Sequence, residues 1–279
     1  MRWIEQVAKI PQPRGGYLPS RYLSTETFSD EKTLPENRLV SPMILSKVVT
    51  RLAELSVLQG PGTGSFLPTI RLTVLQPEIE AFCFREFHGK PGSTELARSL
   101  LQKVKGLDKE SVDAVFRLCA YSYQCSCSGY HRPVKPLEVS DQDIEAALLL
   151  LRRIQTFWDA GSKPLFVNYP VKGGWGIQEG QIEFLAANGI YAIQCRTGKP
   201  SATDTLSQLL RYLMLKHTVS AGMEHILRIG FWNPIQNKIF FYPLDRVEPD
   251  LCSWLEKSVI GYPAEEQIQK RQKIWERTE

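Results

Sequence analysis

The chain has 279 residues, 43% of them hydrophobic and 23% charged, with a formal net charge of +4 and a pI of about 8.7. That is ample for a sizeable core, in one large domain or two small ones. The mild positive bias permits a nucleic-acid partner but lacks the concentrated basic face of a strong electrostatic binder. No run of about 18 apolar residues occurs, which argues against a membrane span.

The richest apolar stretch, AALLLLRRI, is broken by Arg152 and Arg153. The N-terminus, MRWIEQVAKIPQPRGG, has no long apolar run after its first charge and does not read as a secretory signal. Six cysteines without regular spacing fit reduced thiols in a cytoplasmic protein.

Residues 1–40 are rich in Pro, Gly, Ser and Thr, and are expected to wrap over the body. SPMILSKVVTRLAEL predicts a helix, with Ser41 as its N-cap and Pro42 in the first helical position. LQGPGTGSFLP reads as a loop followed by a strand-like, proline-containing stretch. STELARSLLQKVKGL and DKESVDAVFRLCAYSY predict two more helices, the first ended by Gly106 and the second capped by Asp108. The first 135 residues therefore form a mostly helical region.

From residue 136 the pattern changes. SDQDIEAALLLLRRIQTFWDAG predicts a helix opened by a Ser140/Asp143 capping box and closed at Gly161. Ile144, Leu148, Leu151 and Phe157 or Trp158 form its buried stripe. PLFVNYPV predicts a strand, and WGIQEGQIEFL with IYAIQCR a hairpin around Asn188-Gly189, a pair that favours a type I′ turn. SATDTLSQLLRYLMLKHT predicts a helix, and HILRIGFW and KIFFYPL two further strands. The expected fold is α/β, a mixed central sheet flanked by helices over residues 136–262, followed by a charged C-terminal helix over 263–279.

Three motif-like stretches carry little chemistry. GPGTGS at 60–65 lacks the lysine and following helix of a phosphate-binding loop, and GKPGST at 89–94 has its lysine in the wrong place. Cys119, Cys125, Cys127 and His131 do not have the paired-knuckle spacing of structural zinc sites. His88, His131, His217 and His225 sit in no nucleophile context, and His217 near a helix end reads as a favourable charge for the helix dipole.

One constellation remains. Gly180-Gln181-Ile182-Glu183 ends a strand, Gln194 and Arg196 lie on the next, and Gln208 and Tyr212 are one turn apart on the following helix. In this order, over residues 136–245, the chain resembles the PD-(D/E)XK nuclease superfamily and particularly its RecB-like branch. That branch carries Gly-x-x-Asp, (Asp/Glu)-x-Lys and Gln-x-x-x-Tyr on successive elements. The resemblance implies a restriction-endonuclease-like α-β-β-β-α-β core. It also implies a shared site built from Glu183, Gln194, Arg196, Gln208 and Tyr212. It extends to bacterial proteins of the same layout, with a downstream turn like Phe231, Trp232, Asn233 and Pro234.

The match is complete at Gln208 and Tyr212, conservative at Glu183 and absent in the middle motif. Either Gln194 and Arg196 occupy its positions, or the register slips and Ala192 and Gln194 do. An amide is a weak magnesium ligand, and arginine stays protonated, so it cannot act as a base although it can hold phosphate. Magnesium or manganese would need Glu183, Glu179 and Glu145 to converge.

The first expectation is therefore a member with a degenerate metal site that binds nucleic acid or a protein partner, in phage defence or genome maintenance. An active metal-dependent DNA or RNA nuclease is the second. The third is a structural subunit docking through the amphipathic tail that carries Trp275. Lys199 and Trp175 are candidate contacts to phosphate and base, with loop decoration and core packing as their plainer readings.

Overall fold

The computed structural model describes residues 3–30, 32–36, 38–60, 66–88, 91–128, 137–219 and 223–262. The expected C-terminal helix with Trp275 lies outside them, as do His131 and the side chain of Cys127.

Helix α1 spans Trp3–Ala8 and a short strand, β1, spans Ser24–Thr27; α2 follows at Pro42–Gln59, α3 at Pro68–Phe87, α4 at Ser93–Lys103 and α5 at Lys109–Ser128. Ser41 accepts a hydrogen bond from the Ile44 amide and caps α2 as predicted. Asp108 caps α5 by accepting from the Ser111 amide at 3.0 Å.

Helix α4 stops at Lys103, before Gly106. The reason is Ser111, whose hydroxyl donates to the Lys103 carbonyl and accepts from the Lys105 and Gly106 amides. The stretch expected to be strand-like is instead the twenty-residue α3. Pro68 opens it, and Val74, Leu75, Glu78, Ala81, Phe82 and Arg85 are buried at helical spacing. Pro77 lies inside this helix and removes one ladder donor without ending it.

The second half follows the predicted order. Helix α6 (Asp141–Phe157) opens with the Ser140/Asp143 capping box. Strands β2 (Pro164–Lys172), β3 (Glu179–Ala186) and β4 (Gly189–Ile193) form an antiparallel meander. Helix α7 (Ala202–Thr218) then crosses to β5 (Arg228–Asn233), which runs parallel to β4, and β6 (Lys238–Pro243) returns antiparallel. Helix α8 (Pro249–Trp254) continues into a π turn over Leu255–Ile260.

The sheet order is β1-β6-β5-β4-β3-β2. The N-terminal region thus contributes an edge strand as well as a wrapping segment, because Ser24–Thr27 pairs with Lys238–Phe241.

The β3–β4 turn corrects one expectation. Its two loop residues are Ala187 and Asn188, with Ala186 opposite Gly189, and none of them has the positive φ that a type I′ turn requires. Glycine at 189 serves another purpose: a Cβ there would lie 2.5 Å from the Arg228 carbonyl on the parallel strand.

One face of the sheet shares a continuous apolar core with α2–α6, centred on Phe184, Tyr191 and Trp232. The Tyr191 and Trp232 rings stack 4.8 Å apart. The other face packs α7 through Leu206, Leu209, Leu210 and Leu213 against Ile182, Ile190 and Ile229. Among the described residues no helix is long and apolar enough to cross a membrane.

Candidate functional site

The meander is irregular at one place. The β3–β4 ladder ends at Phe184↔Tyr191, and the β2–β3 register passes from Val167↔Phe184 to Tyr169↔Ile182 without an Asn168–Glu183 pair. Asn168 has φ 50, a left-handed conformation uncommon for a residue within a strand. Beyond the last β3–β4 pair, the Ile193 amide donates to Glu183 Oε1 at 3.0 Å. The carboxylate thus stands where a ladder bond would otherwise form.

Here the helical layer and the sheet enclose a cavity of about 880 Å³. Lys47, Arg51 and Glu54 line it from α2, Asn168 from β2, Glu183 from β3 and Arg211 from α7. The α2 residues are tied together: Arg51 contacts Glu54 at 2.7 Å and buried Glu78 at 3.1 Å, and Lys47 contacts Glu78 at 3.0 Å. Asn168 Nδ2 donates to Glu54 Oε1 at 3.0 Å, which gives the left-handed residue a polar anchor across the layers.

The electrostatics follow from this crowding. Burial pushes the Glu183 carboxyl up from an ordinary 4.5 to about 7; Glu54 adds to the shift, while the Ile193 amide and the Arg211 and Arg51 charges resist it. Burial likewise raises Glu54, only partly offset by Arg51 and Asn168. Burial opposes the charge on Arg51, but Glu54 and Glu78 outweigh it and hold the guanidinium above its usual range. Arg211 is lowered by burial, with Glu183 pulling the other way. The result is a carboxyl able to gain or lose a proton near neutrality, flanked by guanidinium groups from two different elements.

Of the five residues expected to share the site, only Glu183 lines this cavity. Gln194 and Arg196, expected on the second strand, lie beyond it, because β4 ends at Ile193. Gln194 donates its backbone amide to the Trp232 carbonyl, and its buried Oε1 has no hydrogen-bond partner. Arg196 turns to the start of α7, where it binds Asp204 and the Lys199 carbonyl. Asp204 is the acid of a Ser201/Asp204 capping box, so Arg196 clamps that helix terminus.

Gln208 is buried within α7 with its Oε1 unpartnered. Tyr212 is half-buried in the apolar layer on the α7 side, its hydroxyl pushed up by burial and by nearby Cys252 and Glu256.

The expected metal trio does not assemble. Glu145 is exposed on α6, whose inner face is taken by Ile144, Ala147 and Leu151. Glu179 is exposed opposite Lys172 at the end of the ladder, roughly 13 Å along the strand from Glu183 at 3.3 Å per residue. Among the described residues, no three His, Cys, Asp or Glu side chains form a group able to hold a metal ion. Glu54, Glu80 and Glu183 line the cavity; Glu54 raises Glu183, and each of these two already faces a guanidinium. The donor set therefore does not fit a resident divalent ion.

Sequence reasoning missed Arg211 and Glu54. Each has a local signal. Arg211 interrupts the buried run Leu209, Leu210 and Leu213, and Glu54 interrupts Leu52, Ala53 and Leu55. A charge placed inside a buried stripe needs a partner or a cavity, and here it has both. The chain matches no family model, no curated protein and no solved structure.

Proposed function

We propose that this is a PD-(D/E)XK-like protein with an altered metal site, which binds nucleic acid through phosphate contacts in the α2/β3/α7 cavity. The observation that carries the reading is the position of Glu183. It occupies the strand site that the resemblance assigns to the motif acid, at the point where β3 and β4 part, and it opens onto a cavity bearing Lys47, Arg51 and Arg211. The order α6-β2-β3-β4-α7-β5, antiparallel through the meander and parallel from β4 to β5, supports a restriction-endonuclease-like core.

Guanidinium groups suit phosphate because their planar donors match its oxygens. In the parent chemistry a metal ion neutralises the phosphodiester. Here protein cations already neutralise the carboxylates, and an incoming phosphate would exchange places with Glu54 or Glu183 as their partner. Such exchange is easiest when Glu183 is protonated. A setting in phage defence or genome maintenance is an analogy from the fold.

Labelled single- and double-stranded DNA and RNA, titrated with and without magnesium or manganese, test this. The expected result is binding that weakens with salt as counterions are released, without cleavage, and about tenfold or more weaker in Arg211→Ala.

The alternative reading, an active metal-dependent nuclease, has Glu54 and Glu183 as its carboxylates on the cavity wall. Cleavage that needs manganese or magnesium and disappears in Glu183→Ala would put it first. Absence of binding at any salt, with a stably co-purifying protein, would favour a structural subunit.

A further inference from the structure

The loop between β2 and β3 holds a tryptophan in solvent on a fixed backbone. Residues 173–178 are clamped at four points. The Gly173 amide donates to the Gln178 carbonyl at 2.7 Å, Trp175 to Gly261 at 3.2 Å, Gly176 to Ile260 at 2.9 Å and Ile177 to Ile260 at 3.2 Å.

The glycines permit this closeness. A Cβ on Gly174 would lie 2.4 Å from the Gly261 carbonyl oxygen, and one on Gly176 would lie 2.2 Å from that of Val259. Yet the indole carried between them is 77% exposed, while Trp158 and Trp232 are buried. Core packing, the plainer reading of Trp175, does not hold.

We propose that Trp175 is a stacking platform for a base of single-stranded nucleic acid whose phosphates reach the Glu183 cavity. This rests on the nucleic-acid reading above. The surroundings favour a base over a protein partner. On the 249–262 segment that holds the loop, the other exposed large apolar side chain is Trp254, whose ring packs against Tyr17, whereas a protein interface needs a contiguous apolar patch. Exposed Lys172, three residues before Trp175 and opposite Glu179 in the ladder, is the cation this end of the strand offers to a phosphate beside the stacked base.

The spacing also fits. The Lys172↔Glu179 pair closes the ladder at the loop, and Asn168 and Glu183 lie four residues further in on their strands. That puts Lys172 on the order of 13 Å along the strand from Asn168, or roughly four stacked nucleotides at about 3.4 Å each, with Trp175 three residues further out. A rigid aromatic just beyond that lysine would hold a strand threaded past the cavity and add affinity with little ordering cost.

The test uses the full chain and a short fluorescein-labelled oligodeoxythymidine, with Trp175→Ala and Trp175→Phe beside wild type. Trp175→Ala should raise Kd roughly 5- to 150-fold, the equivalent of ~1–3 kcal/mol for one stacked base. Trp175→Phe should keep most of the affinity. With unlabelled oligonucleotide, both variants should lose the indole quench that wild type shows on binding. Both should melt as wild type does, since the side chain packs against little.

Wild-type affinity and an unchanged quench in Trp175→Ala would overturn the platform and leave the nucleic-acid reading standing. Failure of wild type to bind any DNA or RNA probe would overturn both.

Discussion

Arg153 and Arg51 are both largely buried arginines on helices that face the same core, yet their networks end differently. Arg153 of α6 grips Asp30 with two bonds, at 2.6 and 2.8 Å, and spends its remaining donors on the carbonyls of Lys32 and Pro234. The side-chain bond from Arg153 leads the causes that hold the Asp30 carboxyl below its usual range. Every group there has what it needs, and the network fastens Asp30, Lys32 and the β5–β6 turn to α6.

Arg51 serves two carboxylates, with Lys47 helping at one of them, and the cluster opens onto a cavity where Glu54 and Glu183 stay raised. Backbone acceptors make a staple. Surplus carboxylates facing a void make a place where a proton or a ligand can change the charge state.

The largest way to break this comparison is at the staple. Arg153→Met leaves Asp30 and two carbonyls without their donor and should destabilise the fold by about 3–5 kcal/mol in denaturant unfolding. It should leave the pH dependence of stability between pH 4.5 and 7 unchanged.

Glu183→Gln should do the reverse. The native carboxyl holds its proton more tightly than the unfolded one, so the native state binds more protons between the unfolded value of 4.5 and about 7. Wild-type stability is therefore greatest below that window and falls as pH rises through it, by at most on the order of 3 kcal/mol. The amide should flatten that slope, as read by denaturant titrations at several pH values. Because Glu54 is raised as well and keeps part of the slope, only a slope undiminished in Glu183→Gln would remove Glu183 as a titrating group.

A smaller effect isolates the anchor. Asn168→Gly keeps the left-handed backbone available but removes the amide that donates to Glu54, and should cost about 1–2 kcal/mol at neutral pH. The smallest concerns Arg196, whose half-exposed pair with Asp204 is worth ~1 kcal/mol or less. Arg196→Met should lower stability by no more than that and leave oligonucleotide affinity unchanged. A large loss of affinity would return Arg196 to the binding site.

Much of the fold was legible because its signals are local. Ser140/Asp143 and Ser41 announce helix starts by bonds that close within one turn, and the buried leucines of α7 repeat at helical spacing. The misses share a cause. The proline-containing stretch after GPGTGS read as strand, but burial of Val74, Phe82 and Arg85 between neighbouring helices outweighs its local propensities. Gly189 read as a turn residue and is instead required by a neighbouring strand.

The site was half legible. Glu183 could be found from its strand position. The helix face chosen on α7, Gln208 and Tyr212, was one residue away from Arg211, which reaches the cavity. Helix spacing alone says which residues share a face, not which face meets the site.

The chain by itself determined the order of its elements, their caps and one acid on a strand, because these depend on neighbours a few residues away. Only the tertiary structure decided that α2, from outside residues 136–245, closes over that acid. It also decided that Arg196 caps a helix and that β3 and β4 part where Glu183 takes the free amide. Those outcomes depend on contacts between residues far apart in sequence, where burial and charge pairing across layers settle what local propensity leaves open.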